Sequence, residues 1–238
     1  MCGSVPAVPI PCIIHQIWVG PRMPRRFREY TRTWQRLHPD WEYRLWTERE
    51  LEDLTMANRQ LFEEAPLHQP SRLVPRMRSN IARLEILVQH GGIYVDSDMW
   101  CLKPLPPLLE GVEAFAAWSP NGTAHLTNAV IGSVPRHDFF RAALTSLAES
   151  VAARPGQGSW RQTGPEHITR TYQEDPRGLT VFPSSTFYPV GIADWKSDRR
   201  AADAVDLSDA YAVHEWASQR RPWYWKVARA TAKSLRLR

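Results

Sequence analysis

Hydrophobic positions along the chain follow two rhythms that alternate. CIIHQIWVG, residues 12–20, is a short apolar run closed by a Gly-Pro turn, and it predicts a buried strand. Next come Phe27, Tyr30, Trp34 and Leu37 at helical spacing, with Pro39 as the stop. EYRLW, residues 42–46, predicts a second strand, after which Thr47 and Glu50 match a capping box opening a short helix. Strand, helix, strand, helix predicts an α/β domain with parallel pairing. Residues 55–75 hold several prolines and little periodicity, and read as a loop or small insert. From residue 77 to 90, Met77, Ile81, Leu84 and Val88 form an apolar stripe that marks the clearest helix, with Gly91 as its C-cap. IYV, residues 93–95, then reads as a short strand ending at Asp96. Residues 114–118 and 128–133 predict two more strands, 137–153 a helix, 154–165 a Gly- and Pro-rich loop, and 179–183 and 211–216 late strands.

A length of 238 residues fits one large domain, or one domain with an appendage. Residues 1–221 read as that domain. Residues 222–238 form a basic aromatic tail, with Trp223, Tyr224 and Trp225 ahead of Lys226, Arg229, Lys233 and Arg236 at helical spacing. The 43% hydrophobic and 23% charged content is that of an ordinary globular chain with ample core. A net charge of +5 suits an anionic ligand or surface. The 3 cysteines, Cys2, Cys12 and Cys101, lack metal-type spacing, and their odd number argues for a reducing compartment over a disulfide framework. No run reaches the ~18 apolar residues of a membrane span, and no signal-peptide pattern opens the chain. The expectation is a cytoplasmic protein.

The chemistry centres on GGIYVDSDMW, residues 91–100. If the strand continues, Asp96 and Asp98 share one face with about 7 Å between their Cα atoms. Short hard carboxylates suit Mg²⁺ or Mn²⁺, and such ions keep open positions for phosphates. In open α/β sheets ligands gather at the carboxyl ends of strands, where Asp96 stands. Three readings follow from the residues. One is a metal-dependent nucleotide-sugar transferase. Another is a glycoside hydrolase with the aspartates as acid and base, which requires carboxyls about 5 to 9.5 Å apart across the bond. The third is a non-catalytic anion- or nucleic-acid-binding module, which gives the acidic pair no role.

RSNIARLEILVQHGGIYVDSDMWCLKPL, residues 78–105, resembles the DXD-containing sugar-binding glycosyltransferases. That family includes yeast-type α-mannosyltransferases, bacterial capsule glycosyltransferases and, more distantly, clostridial glucosylating toxins. IPCIIHQIWVG at 10–20, HPDWEYRLWT at 38–47, TGP at 163–165 and AVHEW at 212–216 resemble it as well, so the likeness spans nearly the whole chain.

The resemblance implies a GT-A fold: a Rossmann-like central mixed sheet flanked by helices. It implies transfer of a hexose from a nucleoside diphosphate to a hydroxyl acceptor, with retention, in surface polysaccharide or glycoconjugate synthesis. Mn²⁺ or Mg²⁺ would bridge the diphosphate, with a UDP-sugar ahead of GDP-mannose as donor. By the same resemblance Asp98 is a direct metal ligand, Asp96 acts through water or on the donor, and His214 completes the metal shell. Trp18 stacks the donor base. Arg83 and Ser97 contact the donor. Asn80 stands where many members have Asp, and faces the sugar. Asn128 faces the sugar too, and joins Asp96 and Asp98 in the catalytic set. Gly164 borders the donor–acceptor junction. From the residues alone, Glu166 and His167 stand near the acceptor by following TGP, and His15 reads as a core residue. The acceptor is a glycan, a lipid-linked molecule or a small molecule. Residues 222–238 are suited to an anionic membrane surface, and nucleic acid is not an expected partner. No residue stands out as a nucleophile, which favours a front-face mechanism. Oligomeric state is not encoded in any pattern.

Overall fold

The computed structural model describes residues 9–20, 22–120, 125–191 and 205–216. Strands β1 (Ile13–Ile17), β2 (Glu42–Trp46), β3 (Gly92–Val95), β5 (Ala114–Trp118), β6 (Leu126–Ser133) and β7 (Thr180–Phe182) make one sheet in the order β2-β1-β3-β6-β5-β7. β1 runs parallel to β2 and β3, β6 runs antiparallel to β3 and β5, and β7 is parallel to β5. The sheet is therefore mixed. Strand alternation sends side chains to two cores. Tyr94, Ala114 and Ala116 join the cluster beneath helix α5 (Val74–His90), whereas Ile93, Val95 and Phe115 join the cluster containing Trp34 of helix α1 (Arg25–Leu37).

α5 is the central helix. Its residues from Met77 to Leu87 are mostly buried, because it packs on the sheet and on α6 (Asp138–Thr145). It starts at Val74, earlier than the apolar stripe predicts, with Pro75 in its first turn, where a missing N–H costs nothing. The capping box at Thr47 forms and opens α2 (Glu48–Asp53), with the Glu50 carboxylate accepting the Thr47 backbone N–H at 2.9 Å. The interval 55–75 is not a loop. It holds α3 (Arg59–Glu63), α4 (Ala65–His68) and a 3₁₀ turn, each too short to show a period. Tertiary bonds hold this segment: the buried Glu85 carboxylate accepts the backbone N–H groups of Ala57 and Asn58 at 3.1 and 2.8 Å.

Three further differences appear. The helix over 137–153 divides at Ser146 into α6 and α7 (Leu147–Ala152). The Gly- and Pro-rich loop contains α8 (Ser159–Gln162), and α9 (Pro165–Glu174) follows it with Pro165 in its first turn. Finally, β4 (Met99–Cys101) pairs with β8 (Ala212–His214) as a separate two-stranded ribbon, and α10 (Ser184–Phe187) lies between the two strands in the chain. Among the described residues no helix is long and apolar enough to cross a membrane.

Gly91 caps α5 at φ +64°, and a Cβ there would lie 2.7 Å from Pro135 Cδ and 2.8 Å from Ser133 O. Both the conformation and the space exclude a side chain. Gly91→Ala is expected to lower unfolding free energy by about 2–3 kcal/mol, read as a lower midpoint in urea. An unchanged midpoint would mean that the turn relaxes without cost.

Candidate active site

β3 ends at Val95, and the chain does not continue as a strand through the aspartates. Asp96 N–H donates to Ala129 O at 2.8 Å, the last bond to β6, and Met99 N–H then donates back to Asp96 O at 3.1 Å. Asp96, Ser97 and Asp98 therefore form a tight turn. The carboxylates meet through this turn and not through strand alternation, which corrects the extended-spacing expectation. β4 leaves the turn and pairs with β8 in a register that sets Met99 opposite His214, and Glu215 N–H donates to Asp98 O at 2.9 Å. That ribbon brings His214 Nε2 to 3.1 Å from Asp98 Oδ1. One ligand atom each from Asp96, Asp98 and His214 lies within 4.8 Å of the others.

Charge balance is tight at this point. Burial raises the Asp96 pKa, Arg83 opposes the rise, and the like charge of Asp98 adds to it; the net shift is upward. Arg83 Nη2 stands 3.2 Å from Asp96 Oδ1, and Tyr94 Oη donates to the same oxygen at 2.8 Å. Burial alone would depress His214, yet the Asp98 carboxylate outweighs it and the imidazole pKa is raised. Two hard carboxylates with a neighbouring imidazole suit Mn²⁺ or Mg²⁺, and a divalent ion would relieve the repulsion that raises Asp96. Binding it would expel the imidazole proton. Oδ1 of Asp96 is engaged by Arg83 and Tyr94, whereas Oδ1 of Asp98 faces His214, the candidate nitrogen ligand.

A cleft of about 980 Å³ opens over the carboxyl ends of β1 and β3. Trp18, Asn80, Arg83, Asp96, Ser97, Asp98, Asn128 and His214 all line it. Trp18 is half-buried and rests against Phe27 with ring centroids 5.5 Å apart. Asn128 Nδ2 donates to Asn80 Oδ1 at 3.1 Å, and Asn80 Nδ2 donates to Thr163 Oγ1 at 3.2 Å. These linked side chains tie α5, β6 and the C-cap of α8 together.

Four of the named residues lie off the cleft wall. Gly164 stands behind Asn80, not on the cleft wall; a Cβ there would come within 3.0 Å of Asn80 Nδ2 and Ser159 O. Glu166 is not on the wall either, and pairs with Arg170 at 2.9 Å and Arg161 at 3.3 Å. His167 is buried, its Nε2 bonding to Ala143 O at 2.8 Å. His15 lies in the core between Gly91 O and Trp46. The tail at 222–238 lies outside the described residues.

Residues 24–115 match the family described as the glycosyltransferase sugar-binding region containing a DXD motif, and residues 134–235 match the alpha 1,4-glycosyltransferase conserved region. The chain belongs to the DXD glycosyltransferases. It is 35% identical over 207 residues to one mannosyl phosphorylinositol ceramide synthase of Saccharomyces cerevisiae, covering 85% of this chain and 53% of that protein. To a second such synthase of the same yeast it is 38% identical over 141 residues, covering 58% of this chain and 35% of that one. The chain thus spans roughly a third to a half of these relatives' length. The solved PaToxG glycosyltransferase superposes with a TM-score of 0.56 at 18% identity, covering 71% of each chain, and shares the GT-A fold.

Several cleft residues escaped the sequence reading. Arg76 and Ser79 lie on the same face of α5 as Asn80 and Arg83, which the resemblance had already placed at the donor; together they make a polar stripe at i, i+3, i+4 and i+7 beside the apolar one. That spacing was a usable signal. Arg26, which lines the cleft and pairs with Glu215 at 3.2 Å, carried none, because it depends on how α1 packs against β4.

His15 and His167 set an acid limit on the fold. Burial pushes each down to about 4, from 6.5. A folded pKa below the unfolded one means that the unfolded chain binds more protons between these values, so stability falls as pH drops from 6.5 toward 4. Each histidine is expected to withdraw about 3 kcal/mol by pH 4. Urea unfolding across that range tests this: His167→Gln should flatten the slope, and an identical slope would remove His167 as its source.

Proposed function

We propose that the chain transfers a hexose, mannose first among candidates, from a nucleoside diphosphate donor to a hydroxyl of a glycolipid acceptor. The convergence of Asp96, Asp98 and His214 carries this reading. Those groups would hold Mn²⁺ or Mg²⁺, which when bound supplies charge stabilisation to the departing diphosphate. The same convergence counts against a hydrolase, whose carboxyls must flank the bond with a wider gap. Trp18 offers a flat face to the base. Arg26 and Arg76 supply positive charge along the cleft, and the linked amides of Asn80 and Asn128 are suited to sugar hydroxyls. The yeast relatives are named for mannosyl transfer onto phosphorylinositol ceramide. Those names support GDP-mannose over a UDP-sugar and a glycolipid over a surface polysaccharide, the reverse of the order the sequence suggests. The cations and aromatics of residues 222–238 support a location at a membrane surface on the cytoplasmic side.

Retention without a covalent intermediate is part of the proposal. Among the described residues lining the cleft, the carboxylates are Asp96 and Asp98, and both belong to the triad. The bond from the anomeric carbon to the phosphate oxygen breaks, and the bond to the acceptor oxygen forms on the same face. The acceptor proton passes to the phosphate oxygen. The test is nucleoside diphosphate release from a panel of GDP- and UDP-sugars with Mn²⁺ or EDTA, with calorimetry for binding. Mn²⁺-dependent release of GDP from GDP-mannose is the expected result. Failure of GDP and UDP alike to bind, with or without metal, overturns the reading.

A further inference from the structure

Trp160 is an indole left 43% exposed, and unlike Leu45 and Leu67, the other large exposed hydrophobic residues among those described, it lines the cleft. An apolar face held open inside a ligand cleft is unusual enough to carry meaning. It is not a loose side chain on a mobile loop. Ser159 N–H donates to Gln69 Oε1 at 3.0 Å, and Ser159 O accepts from Asn80 Nδ2 at 3.4 Å. Gly164 packs so closely that a Cβ there would lie 3.0 Å from Trp160 Cα. His125 meets the indole edge to face, with centroids 5.1 Å apart and an 80° tilt. The backbone under Trp160 is therefore fixed, and it shares a partner, Asn80, with the amide chain beside the triad.

Sheet order sets which side of the reaction this platform serves. β3, which Asp96 follows, lies between β1 and β6. Trp18 follows β1 on one side. His125 precedes β6 on the other, four residues back from Ala129, whose carbonyl accepts the Asp96 N–H. At strand spacing that is about 13 Å from the metal turn. A nucleoside stacked at Trp18 with its diphosphate at the triad points its sugar toward Asn80, Asn128 and then Trp160.

We infer that Trp160, backed by His125, is the platform on which the acceptor's reacting ring rests, a six-membered polyol offering its apolar C–H face. The inference rests on the transferase reading above. An indole face matches the axial C–H face of a pyranose or a cyclitol, while the hydroxyls on the ring edge stay free for bonding. Both ring types share this chemistry.

Saturation-transfer NMR on the full chain loaded with GDP and Mg²⁺ tests it, with lactose and myo-inositol as the two probes. Ring protons of at least one probe should receive saturation, and the probe that does identifies the ring type. Trp160→Ala should weaken that binding at least about fivefold, as loss of an aromatic stacking face does elsewhere. Trp160→Phe should retain it. GDP affinity by calorimetry should stay within about twofold in both variants. Equal ring signal in Trp160→Ala overturns the platform. So does absence of ring signal from both probes in a wild-type protein that binds GDP, or a parallel loss of ring and GDP binding in Trp160→Ala. Absence of GDP and UDP binding in the wild type would instead remove the transferase reading beneath it.

Discussion

Asp98→Ala is expected to cut metal-dependent donor turnover by about a hundredfold or more while the fold stays intact. The backbone reason for the second half is direct. Asp98 contributes its carbonyl to Glu215 N–H and so to the β4–β8 ribbon, and alanine keeps that bond. The carboxylate does something separate: its Oδ1 faces His214 and stands in the ligand triad. Removing it leaves Asp96, whose Oδ1 is already engaged by Tyr94 and Arg83, as the sole carboxylate for a cation. A divalent ion held by fewer protein oxygens binds more weakly and neutralises less of the charge that builds on the leaving diphosphate. Asp98→Asn is the stricter variant, because it keeps the shape and removes the charge. Both should need far more Mn²⁺ for half-maximal nucleoside diphosphate release. Turnover within about threefold of wild type at the same Mn²⁺ concentration would show that the turn is not the cation site.

How much of this was readable from sequence depends on the range of the interactions involved. The stripe Met77, Ile81, Leu84 and Val88 gave α5 its identity, since one helix face buried on a sheet imprints its own period. The Thr47–Glu50 box was legible for the same reason, being settled within four residues. The Asp96–Asp98 turn was not. An apolar run followed by Asp-x-Asp fits a strand equally well, and the bond from Met99 N–H to Asp96 O that decides the matter is a tertiary choice. β4 and β8 are three residues each, and their pairing spans 116 residues between Asp98 and His214. No periodicity carries such a register; the resemblance placed His214, not the residues around it. Glu166 and His167 were named from their nearness to Thr163 and Gly164 in sequence; α9 starts at Pro165, and neither of them lines the cleft. The exposed indole of Trp160 had no sequence signal, because exposure is a property of the packed molecule.

Arg83→Met is the substitution expected to cost the most stability. Arg83 is 5% exposed, its guanidinium pairs with Asp96 at 3.2 Å, and it lies over the Tyr94 ring at 4.3 Å. Methionine fills much of the same volume against Tyr94, so the loss is mainly electrostatic. Asp96 is left with burial and Asp98 both opposing its charge. Breaking a buried pair by deleting one partner costs about 3–5 kcal/mol, which for a chain of this size is a fall in Tm of about 10 °C. Two further consequences separate this cause from mere loss of packing. Asp96 is an acid whose folded pKa is already raised, and losing Arg83 raises it further. Its folded form then favours the proton, so the deficit of the variant should shrink as pH falls and Asp96 is protonated. A divalent cation supplies the missing positive charge, so saturating Mn²⁺ should raise the Tm of Arg83→Met more than that of the wild type. A deficit that ignores both pH and Mn²⁺ would assign Arg83 a packing role alone. A deficit that responds to both would tie the guanidinium and the cation to the same pair of carboxylates, with Arg83 holding the metal-free site together until the cation and its diphosphate arrive.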